Sequence, residues 1–283
     1  MRLCAICRRR PATSFEHLPG KATRNRGKIL VRYAAPSDDG EARFEHRFAE
    51  YGDGFGLVSL CAKYNQNTGS RDGGAYSSFV RQFGEPGRVE PGTGAHTLGI
   101  RDFRPLRVIK QLYSMFLSVQ LERGTDQWDG LREFVGLRDG TLGGFEFPRV
   151  YLYRNTADQG RICPLGALGE LFVPGPARGD PIVCSEIAWP PLGVVFALTR
   201  PDYFSAMADV TDWGRARFKD CRSEVLRVPS YRVETDWPLG FGSGKDVDDW
   251  IDRMGVVWFL GSLGDPETPN SVSMTLRRQD SQG

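Results

Sequence analysis

No stretch of this 283-residue chain approaches the run of about eighteen apolar residues needed to cross a bilayer. No apolar segment follows Met1 either, because the chain enters a close cysteine pair, Cys4 and Cys7, at once. The expected location is therefore cytoplasmic, with no membrane partner. Internal repeats and low-complexity tracts are missing. Charge of one sign is missing too: 37 Lys and Arg against 35 Asp and Glu leave a net +2, which by itself implies no nucleic-acid partner. Histidine is scarce, with only His17, His46 and His96 present. What remains is ordinary for a soluble globular chain, 40% hydrophobic and 25% charged, and long enough for one large or two compact domains.

Six cysteines are present, Cys4, Cys7, Cys61, Cys163, Cys184 and Cys221. Without a secretion signal, the Cys4-Ala5-Ile6-Cys7 pair reads as metal-binding or redox-active rather than as half of a disulfide framework. The last three lack partner spacing and read as small buried hydrophobes. Charge is unevenly spread. Arg8, Arg9, Arg10, Lys21, Arg24, Arg26, Lys28 and Arg32 precede residue 37, and Glu16 is the one acid there. Such a basic lobe suits phosphates, and it reads equally as a solvated face.

The pattern divides the chain into residues 1–83, a Gly/Pro-rich linker over 84–99, and a larger unit over 100–283. In the first, Ile29 to Tyr33, Ala42 to Tyr51 and Leu57 to Leu60 read as strands. Tyr76, Phe79, Val80 and Phe83 share one helix face. In the second, Pro105 to about Glu122 is the strongest helix, with Leu106, Ile109, Leu112, Met115, Phe116 and Val119 on one stripe. A further helix is expected over Asp126 to Val135. Short β-branched and aromatic runs follow, at 150–153, 171–173, 181–187, 193–198 and 256–260, with short helices after Thr211 and over Asp246 to Met254. The tail from Gly264 is polar and expected to fray. The fold class is α+β with a mainly antiparallel sheet.

Three pieces of the first unit stand in a telling order: Cys4-x-x-Cys7, then Glu16-His17, then Leu60-Cys61-Ala62-Lys63-Tyr64-Asn65 with Thr68-Gly69. Together they resemble the HNH (His-Me finger, ββα-metal) endonucleases of the zinc-stapled kind, over roughly residues 1–83. The resemblance implies a small treble-clef-like ββα-metal module joined to an uncharacterised domain. His17 would activate water, and Glu16 and Asn65 would hold a catalytic Mg²⁺ or Mn²⁺. Phosphodiester hydrolysis of a nucleic acid, DNA by expectation, would be the reaction. Histidine suits the base because it titrates near neutrality, and a hard divalent ion needs few protein oxygens. Lys21, Arg24, Arg26 and Lys28, directly after His17, could contact the flanking phosphates.

Plain readings stand beside these. Glu16-His17 reads as a solvated pair before a Leu-Pro-Gly turn, and Asn65 as a helix cap. The second knuckle departs from Cys-x-x-Cys, because Tyr64 occupies the last cysteine's position. A structural zinc wants four ligands, and Cys4, Cys7 and Cys61 supply three. His46 could donate the fourth; otherwise the zinc is lost and Tyr64 packs in its place. The alternative to an enzyme is an inactive nucleic-acid-binding or protein-interaction component, with 100–283 as the partner-binding unit.

Overall fold

The computed structural model describes residues 2–23, 25–36, 44–91, 94–120, 126–142, 147–157, 159–168, 182–199, 201–231 and 274–278. It is an α+β fold with mainly antiparallel sheets. The strands β1 (Ser14–His17), β2 (Ile29–Pro36), β3 (Phe44–Tyr51) and β4 (Gly56–Leu60) come first. β1 pairs antiparallel with β4, setting Phe15 opposite Val58 and Glu16 opposite Leu57. β4 runs straight into α1 (Ala62–Thr68), and a π-helical turn, Gly69–Gly73, carries α1 into α2 (Gly74–Phe83).

β5 (Arg88–Val89) and β6 (His96–Phe103) follow. The helices α3 (Pro105–Val119) and α4 (Asp129–Gly136) come next. Then the chain is mostly strand: β7 (Arg149–Asn155), β8 (Gln159–Leu168), β9 (Ile182–Trp189), β10 (Leu192–Ala197), β11 (Ala208–Asp209), β12 (Arg222–Val228), β13 (Ser230–Tyr231) and β14 (Met274–Arg278). The large sheet has the order β11-β7-β10-β9-β8-β14-β2-β3, with β13 parallel to β7, and a small sheet has the order β12-β6-β5. Every residue of β10 is buried, as a strand covered on both faces requires.

Several expectations shift. The segment 84–99, expected as a linker, carries β5 and the start of β6, with Ala95 and Leu98 buried. Its Gly and Pro residues mark turns between strands. Within the tail expected to fray, β14 pairs with both β2 and β8, because Met274, Thr275 and Leu276 supply a strand register the polar composition hid. Thr211 opens a 3₁₀ turn, Thr211–Arg215. Cys184 is buried as expected, whereas Cys221 is exposed. The strands expected at 171–173 and 256–260 and the helix at 246–254 lie outside the described residues.

α3 is buried along almost its whole length, polar residues included, so it is a central pillar rather than an amphipathic surface helix. The aromatic face of α2 packs into the same core against β6 and the Thr211–Arg215 turn. Phe79 lies 6.0 Å from the Phe103 ring and 5.4 Å from Trp213. One hydrophobic core runs from Cys4 to Val228, and the first 83 residues share it with the rest. The carboxyl end of α4 is held by cations: Arg71 donates to the Val135 carbonyl at 2.8 Å, and buried Lys110 donates to Phe134 at 2.6 Å and to Leu137. Cations at a helix C-terminus satisfy orphan carbonyls and complement the dipole. Burial lowers the Lys110 ammonium to about 8, with Arg71 adding to the effect.

Candidate active site

A cleft of about 410 Å³ opens between β1, the loop after it, the α1–α2 helix and α3. Glu16, His17 and Asn65 all line it, with Phe15 and Gln111 beside them. Residues 50 positions apart in sequence are thus brought to one concavity, because Asn65 reaches across from α1 to β1. Its Nδ2 donates to Ser14 Oγ at 2.6 Å and to the Phe15 carbonyl at 3.2 Å. A carbonyl only accepts, so the amide orientation is set and Oδ1 is left as its acceptor end.

The His17 ring is held through Nε2, 2.8 Å from the Asp53 carbonyl. That oxygen can only accept, so Nε2 carries the proton and the neutral ring keeps its lone pair on Nδ1. Burial lowers the imidazole below its ordinary 6.5, Lys21 adds to the lowering, and the Asp53 carbonyl works against both. His17 is therefore neutral at neutral pH, the state a general base requires. The Phe15 ring stands edge-on to it with centroids 5.0 Å apart. Both project from the same face of β1, as alternate strand residues do.

Glu16 turns to the other face and is 6% exposed. Ser118 Oγ donates to its Oε2 at 2.6 Å, Ser59 Oγ to the same oxygen at 3.3 Å, and Gln111 Nε2 to Oε1 at 3.5 Å. Two of those donors stand on α3. The carboxylate is therefore buried and held by Ser59 together with two donors from outside the first 83 residues, not solvated at a turn. Glu16 and Asn65 both line the cleft, and a carboxylate with an amide oxygen is a hard donor set of the kind that suits Mg²⁺ or Mn²⁺.

Asn25 was not singled out from sequence. It is fully buried, and its Nδ2 donates to the carbonyls of Pro19 and Phe55, each at 2.7 Å, while its Oδ1 accepts the Phe55 N–H at 2.7 Å. One side chain thereby clamps the loop after His17 onto the turn that carries Asp53. Gly54 completes the clamp: its φ is +82°, and a Cβ would strike the Asn25 carbonyl. The Gly52-Asp53-Gly54 turn was the legible signal for this contact.

The three thiols of Cys4, Cys7 and Cys61 lie within 4.8 Å of one another, with Cys7 and Cys61 sulfurs 4.0 Å apart. Tetrahedral zinc with Zn–S of about 2.3 Å would hold sulfurs roughly 3.8 Å apart, so the cluster could close on a metal. The turn is built by backbone: the Cys4 N–H bonds the Arg10 carbonyl and the Ala5 N–H bonds that of Ser59. Burial pushes the Cys4 thiol up to about 11. Cys7 moves the other way, because hydrogen bonds from the Arg9 and Arg10 backbone outweigh its burial. Tyr64 is half-buried near these thiols, and burial together with their charge raises its phenol, so it stays a neutral, poor ligand. His46 lies in β3 opposite Ala34, and its side chain is outside the described part.

The basic loop is partly committed. Lys21 Nζ pairs with Asp53 Oδ2 at 2.7 Å, Arg26 and Lys28 are exposed, and Arg24 lies outside the described residues. Gly69 of the Thr68-Gly69 pair also lines the cleft, with Gly73 and Gly74, which sequence reading passed over. Among the described residues, no helix is long and apolar enough to cross a membrane. Compared with protein-family models, curated proteins and solved structures, the chain matches none, so the site is read from its geometry alone.

Proposed function

We propose that this protein is a metal-dependent endonuclease of the HNH type that hydrolyses phosphodiester bonds in nucleic acid, with DNA as the expected substrate. The observation that carries the reading is the meeting of Glu16, His17 and Asn65 on one cleft, with His17 neutral and held by the Asp53 carbonyl. The antiparallel β1–β4 pair followed by α1 supports it, being the order of a ββα module.

In this reading His17 Nδ1 accepts the proton of an attacking water, while the Asp53 carbonyl fixes the ring. Asn25 keeps that carbonyl in place. Glu16 and Asn65 would hold the divalent ion, which supplies charge stabilisation on the phosphate and the leaving oxygen. Arg26 and Lys28 are the exposed cations available for flanking phosphates. A structural zinc held by Cys4, Cys7 and Cys61 would staple the Cys4–Cys7 turn to the start of α1, apart from the reaction.

Incubation of plasmid and single-stranded circular DNA with Mg²⁺ or Mn²⁺ tests the reading. Cleavage by the wild type and its loss in His17→Ala is the expected result; equal nicking by both proteins would sink it. One observation favours a second reading, a binding module without catalysis: both Glu16 oxygens already accept hydrogen bonds from the protein. That module would bind nucleic acid in a salt-sensitive way, indifferent to chelator and to His17→Ala.

A further inference from the structure

Two residues that line the cleft each carry a buried polar atom that no protein group satisfies. Tyr76, 2% exposed, lines the cleft, and its hydroxyl lacks a hydrogen-bond partner. Gln111, 7% exposed, lines it too, and its Oε1 has none. The amide orientation of Gln111 is set chemically, because Nε2 faces the Glu16 carboxylate, which only accepts. Buried polar atoms left bare cost free energy, so such a pair is unusual unless something outside the chain completes it.

The two atoms ask for different things. A tyrosine hydroxyl has one hydrogen to donate and can also accept, whereas an amide oxygen is an acceptor only. A phosphate oxygen answers the first and never the second. A nucleobase edge answers both, since it carries donors and acceptors together, but in a duplex that edge is already paired. The cleft mouth and floor point the same way. Phe15 at the mouth is 41% exposed, next to His17, with exposed Val58 directly across on β4. An exposed aromatic beside a cleft is a stacking surface for a base. On the helical wall, a Cβ added at Gly69 or Gly74 would meet nothing within 4 Å, so the helix backbone is open to close approach.

We infer that the cleft takes an unpaired nucleotide from a single-stranded or locally opened nucleic acid, stacking a base on Phe15 and reading its polar edge with Tyr76 and Gln111. This rests on the nuclease reading for its reaction, but the binding preference can be measured without any reaction.

Fluorescence anisotropy with the full chain in EDTA is the test, using labelled DNA and RNA single strands and the matching duplexes. Single strands should bind at least about tenfold more tightly than duplexes, and Phe15→Ala should weaken single-strand binding by about tenfold while Phe15→Tyr keeps it. Phe15 is exposed, so folding should survive, and a circular dichroism melt checks this. Gln111→Leu should weaken single strands more than duplexes. The DNA and RNA arms tell which strand is preferred. Duplex binding as tight as single-strand binding, or no effect of Phe15→Ala, would overturn the inference. Preference for single strands without Mg²⁺-dependent cleavage would leave it standing and remove the nuclease reading. Cleavage of duplex with no strand preference would do the reverse.

Discussion

Glu16 and Ser118 stand 102 residues apart in the chain and 2.6 Å apart in space. The bond ties the acid beside His17 to the central helix of the protein. Its consequence is that the candidate site and the core are one structure: loosening either loosens the other.

Glu16→Gln should therefore destabilise the fold, contrary to what an exposed ligand would do. The carboxylate accepts from three donors, two on Oε2 and one on Oε1, so an amide nitrogen in place of either oxygen faces at least one donor, at a cost of roughly 1–3 kcal/mol. Urea unfolding of the two proteins measures it. A difference near zero would show that Glu16 is more solvated than its burial indicates. Metal affinity by calorimetry should fall in the same variant.

The pH dependence of cleavage should follow His17. Its pKa lies below 6.5, so the ring stays a competent base as the pH falls through 6.5, and the acid limb of the rate profile sits below that value. The linked stability effect has a definite sign. The unfolded chain binds a proton on this residue before the folded one does, so its contribution is present above 6.5 and is lost as pH falls toward the lowered value. His17→Ala should flatten both. An acid limb above pH 7 would exclude His17 as the base.

The thiol cluster should bind zinc weakly in the wild type and tightly in Tyr64→Cys. Three thiolates leave a tetrahedral ion one ligand short, and Tyr64 is held neutral. Metal analysis after exposure to a chelator checks this, with less than one zinc expected for the wild type and about one for the variant. One tightly held zinc in the wild type would mean a fourth ligand exists, and His46→Ala would be the next measurement.

Asn25→Ala should impair both stability and cleavage although the side chain touches no cleft residue directly. It removes three hydrogen bonds and strands the Phe55 N–H and two carbonyls in the interior. About 1–3 kcal/mol of stability is expected to go with each group left bare. The activity lost should reflect a misplaced Asp53 carbonyl, so kcat should fall more than KM rises. A stable variant with unchanged kcat would remove Asn25 from any positioning role.

Local rules made part of this protein legible before any coordinates. Pro105 and the apolar stripe from Leu106 to Val119 identify α3, and Tyr76, Phe79 and Phe83 identify α2, because helical periodicity is written in neighbouring residues. The order of Cys4, Cys7, Glu16, His17, Cys61 and Asn65 names the candidate residues for the same reason: short spacings survive folding. Tertiary structure alone decided their environments. Glu16 is buried because Ser118 and Gln111 come from a helix a hundred residues on, His17 is oriented by a carbonyl that has no side-chain signature, and Asn25 acts through backbone groups on two separate turns. The Gly and Pro of 84–99 looked like a linker because composition cannot say whether a turn lies between strands, and β14 looked like a frayed tail because its pairing partners, β2 and β8, lie far away in sequence. Hydrogen bonds between distant segments depend on which segments meet, and that is set by the shared core rather than by any local run of residues.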